Sequence, residues 1–344
     1  MDTMRSLRKT RPEPGLTFEE MPVPQIKPAE VLIRVVKRAI CGSDLHIWTW
    51  DEWFAKRMNP PVTVGHEFYG EIVEAGSEVT HYEVGELVTA EMHVVCNQCH
   101  ACRTGNAHLC SNTVILGVDG DGAFADYIAV PESNLWRVPA GIDPEFAAIY
   151  DPFGNAVHTV MAGETVGKSF LVLGGGPIGL ASIPVARAAG ASQVIVSEVS
   201  PYRKDLAAKM GADHVIDPTD QDLVETVREL TGGAGADVVL EMSGAVQAVL
   251  QGFRCVRPAG RYSLLGIPPG PVSLDLAADV VIPGITINGI HGRRMYDTWY
   301  QMDALLISGK VDLAPLITHR FPMEEFEEAF AVGLSGESGK IILE

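Results

Sequence analysis

The middle of the chain alternates between two patterns of apolar residues. Short runs rich in β-branched residues recur roughly every 23 residues, which is typical of buried strands separated by helices. The runs begin near Phe170, Val194, Val215, Val238, Tyr262 and Ile285. Most of the gaps contain a segment of helical period, such as 202–210 and 222–230. This alternation predicts an α/β fold in which six parallel strands form a doubly wound sheet with helices on both faces.

The residues on either side of this region follow different patterns. Residues 1–150 contain short alternating strands between Gly and Pro residues, so we predict a β-rich domain there. The α/β domain is assigned to residues 151–289. The remaining segment, 290–344, contains a predicted helix at 296–308 and a predicted terminal strand at 340–343. We expect this segment to return to the first domain or to extend it.

A glycine-rich turn lies between the first strand of the α/β domain and the helix that follows. The strand at 170–173 leads into the spacing G-x-G-x-x-G, and the helix continues from Leu180 to Ala189. The backbone of such a turn can approach a pyrophosphate closely, and the helix N-terminus adds partial positive charge. We therefore predict a Rossmann dinucleotide-binding domain. The predicted cofactor-binding residues of the turn are Gly174, Gly176, Pro177, Ile178 and Gly179.

An acidic residue follows the second strand of the same domain. Glu198 lies nineteen residues after Gly179, where a carboxylate accepts hydrogen bonds from the adenosine ribose of a dinucleotide. A carboxylate there repels a 2′-phosphate, so the sequence favours NAD over NADP. Arg203 could instead bind a 2′-phosphate, but with Glu198 present we expect it beside the adenosine. The alternative is that Glu198 is a solvated acid at a strand end.

Four cysteines lie within fifteen residues, with the spacing C-x2-C-x2-C-x7-C. They are Cys96, Cys99, Cys102 and Cys110. Four thiolates this close can surround one tetrahedral ion, so we predict a structural zinc site in a lobe at about 92–114. Two disulfides or an iron–sulfur cluster are the alternatives. The first requires an oxidising compartment, and the second usually has a proline after its last cysteine and a role in electron transfer.

A second set of candidate metal ligands is spread over the first 151 residues. Its members are Cys41, His66, Glu67 and Asp151. Each of them alone has an ordinary structural explanation: a buried small side chain, a core histidine or a turn cap. Together they offer a thiolate, an imidazole and carboxylates, which are sufficient for an open zinc site that oxidises an alcohol.

Composition restricts the class of protein further. The chain has 344 residues, of which 47% are hydrophobic, so it can bury a large core. Its formal net charge is −18. The acidity argues against binding to a phosphate backbone, and no nucleic-acid partner is expected. The N-terminus lacks the apolar segment of a signal peptide, and the longest apolar stretch contains glycines, prolines and an arginine. We therefore expect no membrane partner and a reducing, cytoplasmic location.

Taken together, these motifs resemble those of the zinc-dependent medium-chain alcohol dehydrogenases over essentially the whole chain. The segments that carry the resemblance are 39–46, 64–67, the cysteine lobe, 151–158, 174–179, 265–269 and 317–320. The resemblance implies a GroES-like catalytic domain, a Rossmann domain, two zinc ions and one NAD site per chain, and a homotetramer. Within the family, 50–53 and 151–158 resemble the branch that oxidises the side-chain hydroxyl of L-threonine to L-2-amino-3-oxobutanoate.

The resemblance also implies roles for individual residues. Cys41, His66 and Glu67 would hold the catalytic zinc, and Asp151 would be a fourth ligand or a neighbour of the ion. Which of the two carboxylates binds zinc stays open. Ser43 would accept the proton of the substrate hydroxyl, and His46 would pass it towards solvent. In the nucleotide domain, the resemblance adds Leu265, Gly266 and Ile267 to the cofactor-binding residues.

Two other functions stay open at this point. A polyol or butanediol dehydrogenase would share the zinc and NAD machinery and differ in its substrate pocket. A non-catalytic dinucleotide-binding protein would retain the fold and the structural zinc. Because a binding protein needs neither Ser43 nor His46, their presence argues against this second alternative.

Overall fold

The computed structural model describes residues 3–344 and divides the chain into two compact units. One unit contains Met1–Asp151 with Ile317–Glu344, and the other contains Pro152–Leu316. The strands are β1 Thr3–Lys9, β2 Thr17–Pro22, β3 Glu30–Ile40, β4 Val62–Thr63, β5 Phe68–Ala75, β6 Leu87–Ala90, β7 His93–Val94, β8 Val114–Ile115, β9 Tyr127–Pro131, β10 Leu135–Arg137, β11 Ser169–Leu173, β12 Gln193–Ser197, β13 His214–Ile216, β14 Ala236–Glu241, β15 Val256–Leu264, β16 Thr286–Gly289, β17 Ile317–Phe321 and β18 Lys340–Leu343. The helices are α1 Gly42–Thr49, α2 Glu52–Arg57, α3 His100–Arg103, α4 Pro144–Ala148, α5 Tyr150–Val160, α6 Pro177–Ala188, α7 Pro201–Lys209, α8 Leu223–Leu230, α9 Val246–Cys255, α10 Asp297–Ile307 and α11 Phe326–Ser335.

The second unit is built on the predicted six-stranded parallel sheet. Its strand order is β13-β12-β11-β14-β15-β16, and every neighbouring pair is parallel. All five residues of β11 are buried, which explains its continuous apolar run. The strand order reverses between β11 and β14, and this is the position at which open α/β sheets bind their ligands. The predicted α/β, doubly wound fold is confirmed.

Two helices of this unit begin at a side-chain cap. Ser200 caps α7 by accepting a hydrogen bond from the backbone of Arg203, and Asp222 caps α8 by accepting one from Glu225. The apolar residues of α8 recur at helical spacing, and Leu223 and Val227 are buried against the sheet. These two helices correspond to the segments predicted at 202–210 and 222–230.

The first unit is rich in β-structure, as predicted. A seven-stranded sheet has the order β10-β6-β5-β3-β18-β17, with β9 also paired to β3, and a three-stranded sheet has the order β2-β1-β4. The strand β18 pairs with β3 on one side and with β17 on the other. Its four residues, Lys340–Leu343, are all buried, so this strand lies inside the sheet. The predicted β-rich character of this part of the fold is confirmed.

The C-terminal segment is divided differently from the expectation. We expected residues 290–344 to accompany the first domain, but the contacts group 290–316 with the second unit and only Ile317–Glu344 with the first. The physical reason is that the short 3-10 helix Ala314–Leu316 packs against α6 and α7, which belong to the second unit. Within residues 3–344, no helix is both long enough and apolar enough to cross a membrane.

Candidate functional site

Three of the predicted zinc ligands converge in the first unit. The thiol of Cys41, one ring nitrogen of His66 and one carboxylate oxygen of Glu67 all lie within 4.8 Å of one another. Cys41 is the residue immediately before α1, and its backbone is extended. His66 and Glu67 lie just before β5, and both are buried. Separate parts of the chain thus bring a thiolate, an imidazole and a carboxylate together, and this set of donors suits zinc.

A glycine fixes the path of the chain next to these ligands. Gly65 has a φ of +89°, and a Cβ at this position would lie 2.1 Å from Cδ1 of Phe124. Phe124 is completely buried in the apolar core of the unit. A side chain at position 65 would therefore clash with the core and displace the neighbouring His66.

Lys340 contacts the ligand cluster from the C-terminal strand. Its ammonium lies 2.6 Å from Oε2 of Glu67 and donates a second hydrogen bond of 2.6 Å to the carbonyl of Ile40. The side chains of Lys340 and Glu67 are 1% and 0% exposed, so the pair is completely removed from water. Burial raises the pKa of Glu67, and the positive charge of Lys340 opposes this shift. The other carboxylate oxygen, Oε1, is buried without a hydrogen-bond partner, as expected of an atom that faces a metal ion.

A second buried carboxylate supports the cluster. Asp44 accepts a hydrogen bond of 2.8 Å from the backbone of Cys41, and its other oxygen lies 3.7 Å from Nδ1 of His66. Burial lowers the pKa of His66, but the negative charges of Asp44 and Cys41 outweigh this effect and raise it overall. The separation of 3.7 Å is too long for a hydrogen bond, so Asp44 acts on His66 through its charge and holds Cys41 directly.

The predicted proton-relay residues lie on α1. Ser43 is half-buried, and its hydroxyl lies 3.3 Å from Nε2 of His66. His46 is exposed, and its Nδ1 lies 2.9 Å from a carboxylate oxygen of Asp51. Asp51 also caps α2 by accepting hydrogen bonds from two backbone amides. The segment 50–53 therefore forms the corner between α1 and α2 that holds His46 in place.

Asp151 lies near the cluster but is not one of its three converging ligands. It is 9% exposed, and its charge acts on the pKa values of His66, Glu67 and Asp44. The sequence left open which carboxylate binds zinc. Among the described residues, the geometry brings Glu67 into the donor set and leaves Asp151 as a neighbour.

The four cysteines of the lobe form a separate cluster. All four sulfur atoms lie within 4.8 Å of one another. The Cys99–Cys102 and Cys96–Cys110 sulfur pairs are each 3.5 Å apart. This spacing is far longer than the roughly 2.05 Å of a disulfide. It is close to the edge of about 3.8 Å that a tetrahedron with Zn–S bonds of about 2.3 Å requires.

The ionisation of these thiols also calls for a cation. Backbone amides of Gln98 and Cys99 lower the pKa of Cys96 to about 6, whereas burial and the neighbouring Cys99 raise the pKa of Cys102 to about 12. In the absence of a positive charge, Cys96 and Cys102 would therefore not ionise together near neutrality. A zinc ion stabilises all four thiolates at once.

The glycine-rich turn of the second unit has the predicted strand–turn–helix context. It follows β11, and Gly176 is the residue before α6, with Pro177 at the first helical position. A Cβ at Gly179 would lie 2.0 Å from the carbonyl oxygen of Gly174, so only glycine allows the turn to pack against the helix. Free backbone amides at this helix N-terminus can bind a pyrophosphate.

Glu198 is hydrogen-bonded to the backbone of this turn. One of its carboxylate oxygens accepts a hydrogen bond of 2.6 Å from the backbone of Gly175, and the other accepts bonds of 2.7 Å from Val199 and Ser200. It is 8% exposed, so the interpretation as a solvated acid at a strand end does not fit. Arg203 lies on α7, one helical turn after Ser200.

The segment 265–267 lies where the loops after β14 and β15 meet. The backbone amides of Leu265 and Gly266 donate to the carbonyl of Glu241, at 3.0 and 3.1 Å. A Cβ at Gly266 would lie 2.2 Å from the backbone nitrogen of Gly244. Ile267 is exposed. Because β14 and β15 end on the same edge of the sheet as β11, this segment and the glycine-rich turn share the carboxyl edge of the sheet.

Comparison with known proteins decides the family. Residues 27–140 match the alcohol dehydrogenase GroES-like domain, and residues 177–308 match the zinc-binding dehydrogenase domain. An L-threonine 3-dehydrogenase of Symbiobacterium thermophilum is 52% identical over 99% of this chain and 98% of that protein. The chain belongs to the zinc-dependent medium-chain alcohol dehydrogenase family.

Solved structures of this family match the whole chain. A candidate zinc-binding dehydrogenase of Sinorhizobium meliloti 1021, bound to NADP, has a TM-score of 0.92 at 28% identity and covers 100% of this chain and 99% of that one. The 2R,3R-butanediol dehydrogenase of Bacillus subtilis has a TM-score of 0.90 at 30% identity and covers 99% of both chains. The chain is therefore a zinc- and nicotinamide-dependent dehydrogenase that acts on a small molecule.

Two residues of this alcohol dehydrogenase site were missed by the sequence analysis. Asp44 could have been found, because it lies three residues after Cys41 in a capping-box pattern. No sequence pattern indicates a role for Lys340, because it contacts Ile40 across 300 positions of the chain. Only the pairing of β18 with β3 brings it to the metal ligands.

The purified protein is expected to contain about two zinc ions per chain. One would be enclosed by the four lobe thiolates, and the other would be bound by Cys41, His66 and Glu67 with one position open. Elemental analysis measures this number directly. A chelator should remove the ion of Cys41, His66 and Glu67 first, with loss of activity and little change in circular dichroism. One ion or none in freshly purified protein would contradict the assignment of two sites.

Proposed function

We propose that the chain oxidises the side-chain hydroxyl of L-threonine to L-2-amino-3-oxobutanoate and transfers the hydride to NAD. The observation that carries this proposal is the open donor set of Cys41, His66 and Glu67 in a chain 52% identical, over almost its full length, to an L-threonine 3-dehydrogenase. Further support comes from segment 50–53, which holds His46 through Asp51.

The residues of the site have distinct tasks in this reaction. A zinc ion held by Cys41, His66 and Glu67 would supply Lewis acidity, which lowers the pKa of bound water and would act similarly on an alcohol. The hydroxyl of Ser43 lies 3.3 Å from the ligand His66, and it takes the proton of the substrate. His46 is exposed and oriented by Asp51, so it can release that proton to solvent. Lys340 and Asp44 hold the ligands in place.

A substrate panel followed at the NADH absorbance tests the proposal. L-threonine is expected to have a higher kcat/KM than 2,3-butanediol or sorbitol, because a site with partners for an ammonium and a carboxylate leaves them unpaired when the substrate lacks these groups. L-serine should be slower than L-threonine by roughly 10- to 200-fold, since a missing methyl group costs about 1–3 kcal/mol.

The same panel distinguishes the alternatives. A diol that outperforms L-threonine would favour a butanediol or polyol dehydrogenase, the function of the Bacillus subtilis structure with 30% identity. If zinc-replete protein binds NAD but no alcohol reduces it, the non-catalytic function would be the better explanation.

The preference for NAD rests on Glu198. The wild-type enzyme should use NAD much better than NADP, because the buried Glu198 carboxylate repels a 2′-phosphate. Replacement of Glu198 by alanine is expected to reduce the difference in activity between NAD and NADP. The main cause would be weaker binding of NAD, since the substitution also removes the hydrogen bond to the amide of Gly175. Initial rates with both cofactors measure the effect. Equal use of NADP by the wild type would contradict the assignment and would make Arg203 the phosphate ligand.

Assembly and location follow from the same proposal. The family resemblance implies a homotetramer. A cytoplasmic location is supported by the six cysteines, all of which are free thiols in the structure.

A further inference from the structure

A partly buried ion pair lies beside the predicted adenosine site. Lys204 of α7 contacts Asp217, the residue that follows β13, with 2.5 Å between Nζ and Oδ2. The other oxygen of Asp217 accepts hydrogen bonds from the backbone and hydroxyl of Thr219, at 2.9 and 2.6 Å. Asp217 is 9% exposed, and both of its oxygens are thus engaged. The aspartate is rigidly held, whereas Lys204 reaches it through a flexible side chain.

The topology places this pair next to Glu198. The strands β12 and β13 are parallel neighbours, and Glu198 and Asp217 each follow the carboxyl end of one of them. The backbone amide of Glu198 donates a hydrogen bond of 3.0 Å to the carbonyl of Ile216, the residue before Asp217. The charges of Asp220 and Glu198 are both close enough to raise the pKa of Lys204, after the larger effect of Asp217. Ligands of doubly wound sheets bind along this edge.

The charges of the pair decide what it offers a dinucleotide. Hydrogen bonds from Lys204 and Thr219 lower the pKa of Asp217 to about 2, so this aspartate is ionised at neutral pH. An ammonium paired with a carboxylate exerts little net attraction on a phosphate. If the carboxylate were neutral, the ammonium beside Glu198 would be available to a 2′-phosphate, which binds cations strongly.

We infer that Asp217 contributes to the preference for NAD over NADP. It holds the ammonium of Lys204 in an ion pair, so this cation beside the adenosine ribose does not bind the 2′-phosphate of NADP. This inference rests on the proposed preference for NAD and extends it from Glu198 to a second carboxylate. A purely structural role, in which the pair only attaches α7 to β13, predicts a loss of stability and no change in cofactor preference.

The test replaces Asp217 by asparagine and measures the binding of NADPH and NADH by fluorescence titration of the zinc-loaded protein. The amide side chain of the Asp217→Asn variant retains an oxygen for Thr219 but releases Lys204. The dissociation constant of NADPH is expected to fall about tenfold, while that of NADH changes less than about twofold. The matched control is Glu229→Gln, which removes one carboxylate charge from an exposed residue on α8 of the same unit.

A double variant tests whether Lys204 causes the gain in NADPH affinity. Lys204→Met combined with Asp217→Asn should return NADPH binding to the wild-type value. Unchanged NADPH binding in Asp217→Asn, an equal gain in Glu229→Gln, or a gain that survives in the double variant would each overturn the inference. Because the titration needs no alcohol substrate, a failure of the L-threonine proposal leaves this test intact. A wild-type protein that binds NADPH as tightly as NADH would instead contradict the preference for NAD.

Discussion

Replacement of Cys41 by alanine is expected to reduce kcat/KM for L-threonine by about 10³-fold or more. The variant loses a thiolate ligand of the open cluster, and a zinc ion contributes at least about 4 kcal/mol of transition-state stabilisation. The zinc content should fall from about two ions per chain to about one. Binding of NADH should be unchanged, because the glycine-rich turn and Glu198 lie in the other compact unit.

Cys255 provides the matched control for this variant. It is completely buried in the core of the second unit, and burial raises the pKa of its thiol to about 12. Cys255→Ala should keep both zinc ions and nearly full activity. Full activity in Cys41→Ala, or loss of zinc in Cys255→Ala, would contradict the assignment of the ligands.

Replacement of Lys340 by methionine should be the most destabilising single change at the site. It leaves the carboxylate of Glu67 buried without its cation, and breaking a buried ion pair costs about 3–5 kcal/mol. The expected results are a lower melting temperature and faster loss of zinc to a chelator. Lys340→Arg, which retains the charge, should be much closer to the wild type.

A second substitution tests whether the loss of the Lys340 charge causes the loss of stability. Glu67→Gln removes the buried negative charge, so adding it to Lys340→Met should recover part of the lost thermal stability, although zinc binding stays weak. No recovery in the double variant would indicate that Lys340 acts through packing of its aliphatic chain rather than through its charge.

The parts of the fold that the sequence predicted well depend on neighbours along the chain. The four lobe cysteines lie within fifteen residues, so their spacing alone predicts a cluster of sulfur atoms. The glycine-rich turn is equally local, because β11, the turn and α6 are consecutive. The central strands β11, β12 and β14 were predictable because each is an apolar run buried on almost its whole length.

The parts that the sequence did not predict depend on contacts between distant segments. Lys340 is an ordinary lysine in a short terminal strand until β18 pairs with β3 and removes it from water. The boundary after Leu316 is set by the packing of a 3-10 helix against α6 and α7, which has no signature in hydrophobic periodicity. The choice between Glu67 and Asp151 as ligand likewise depends on three-dimensional distances.

The position of β18 has a consequence for the order in which the protein is made. During synthesis, all of Pro152–Leu316 emerges from the ribosome before the last strand of the first unit exists. Nascent chains usually fold domain by domain as they emerge. A ribosome-bound chain that stops before Lys340 could therefore fold its nucleotide-binding unit, while the gap between β3 and β17 stays open and Glu67 lacks its cation. Maturation of the metal centre is in this way deferred until β18 has been synthesised and has paired with β3.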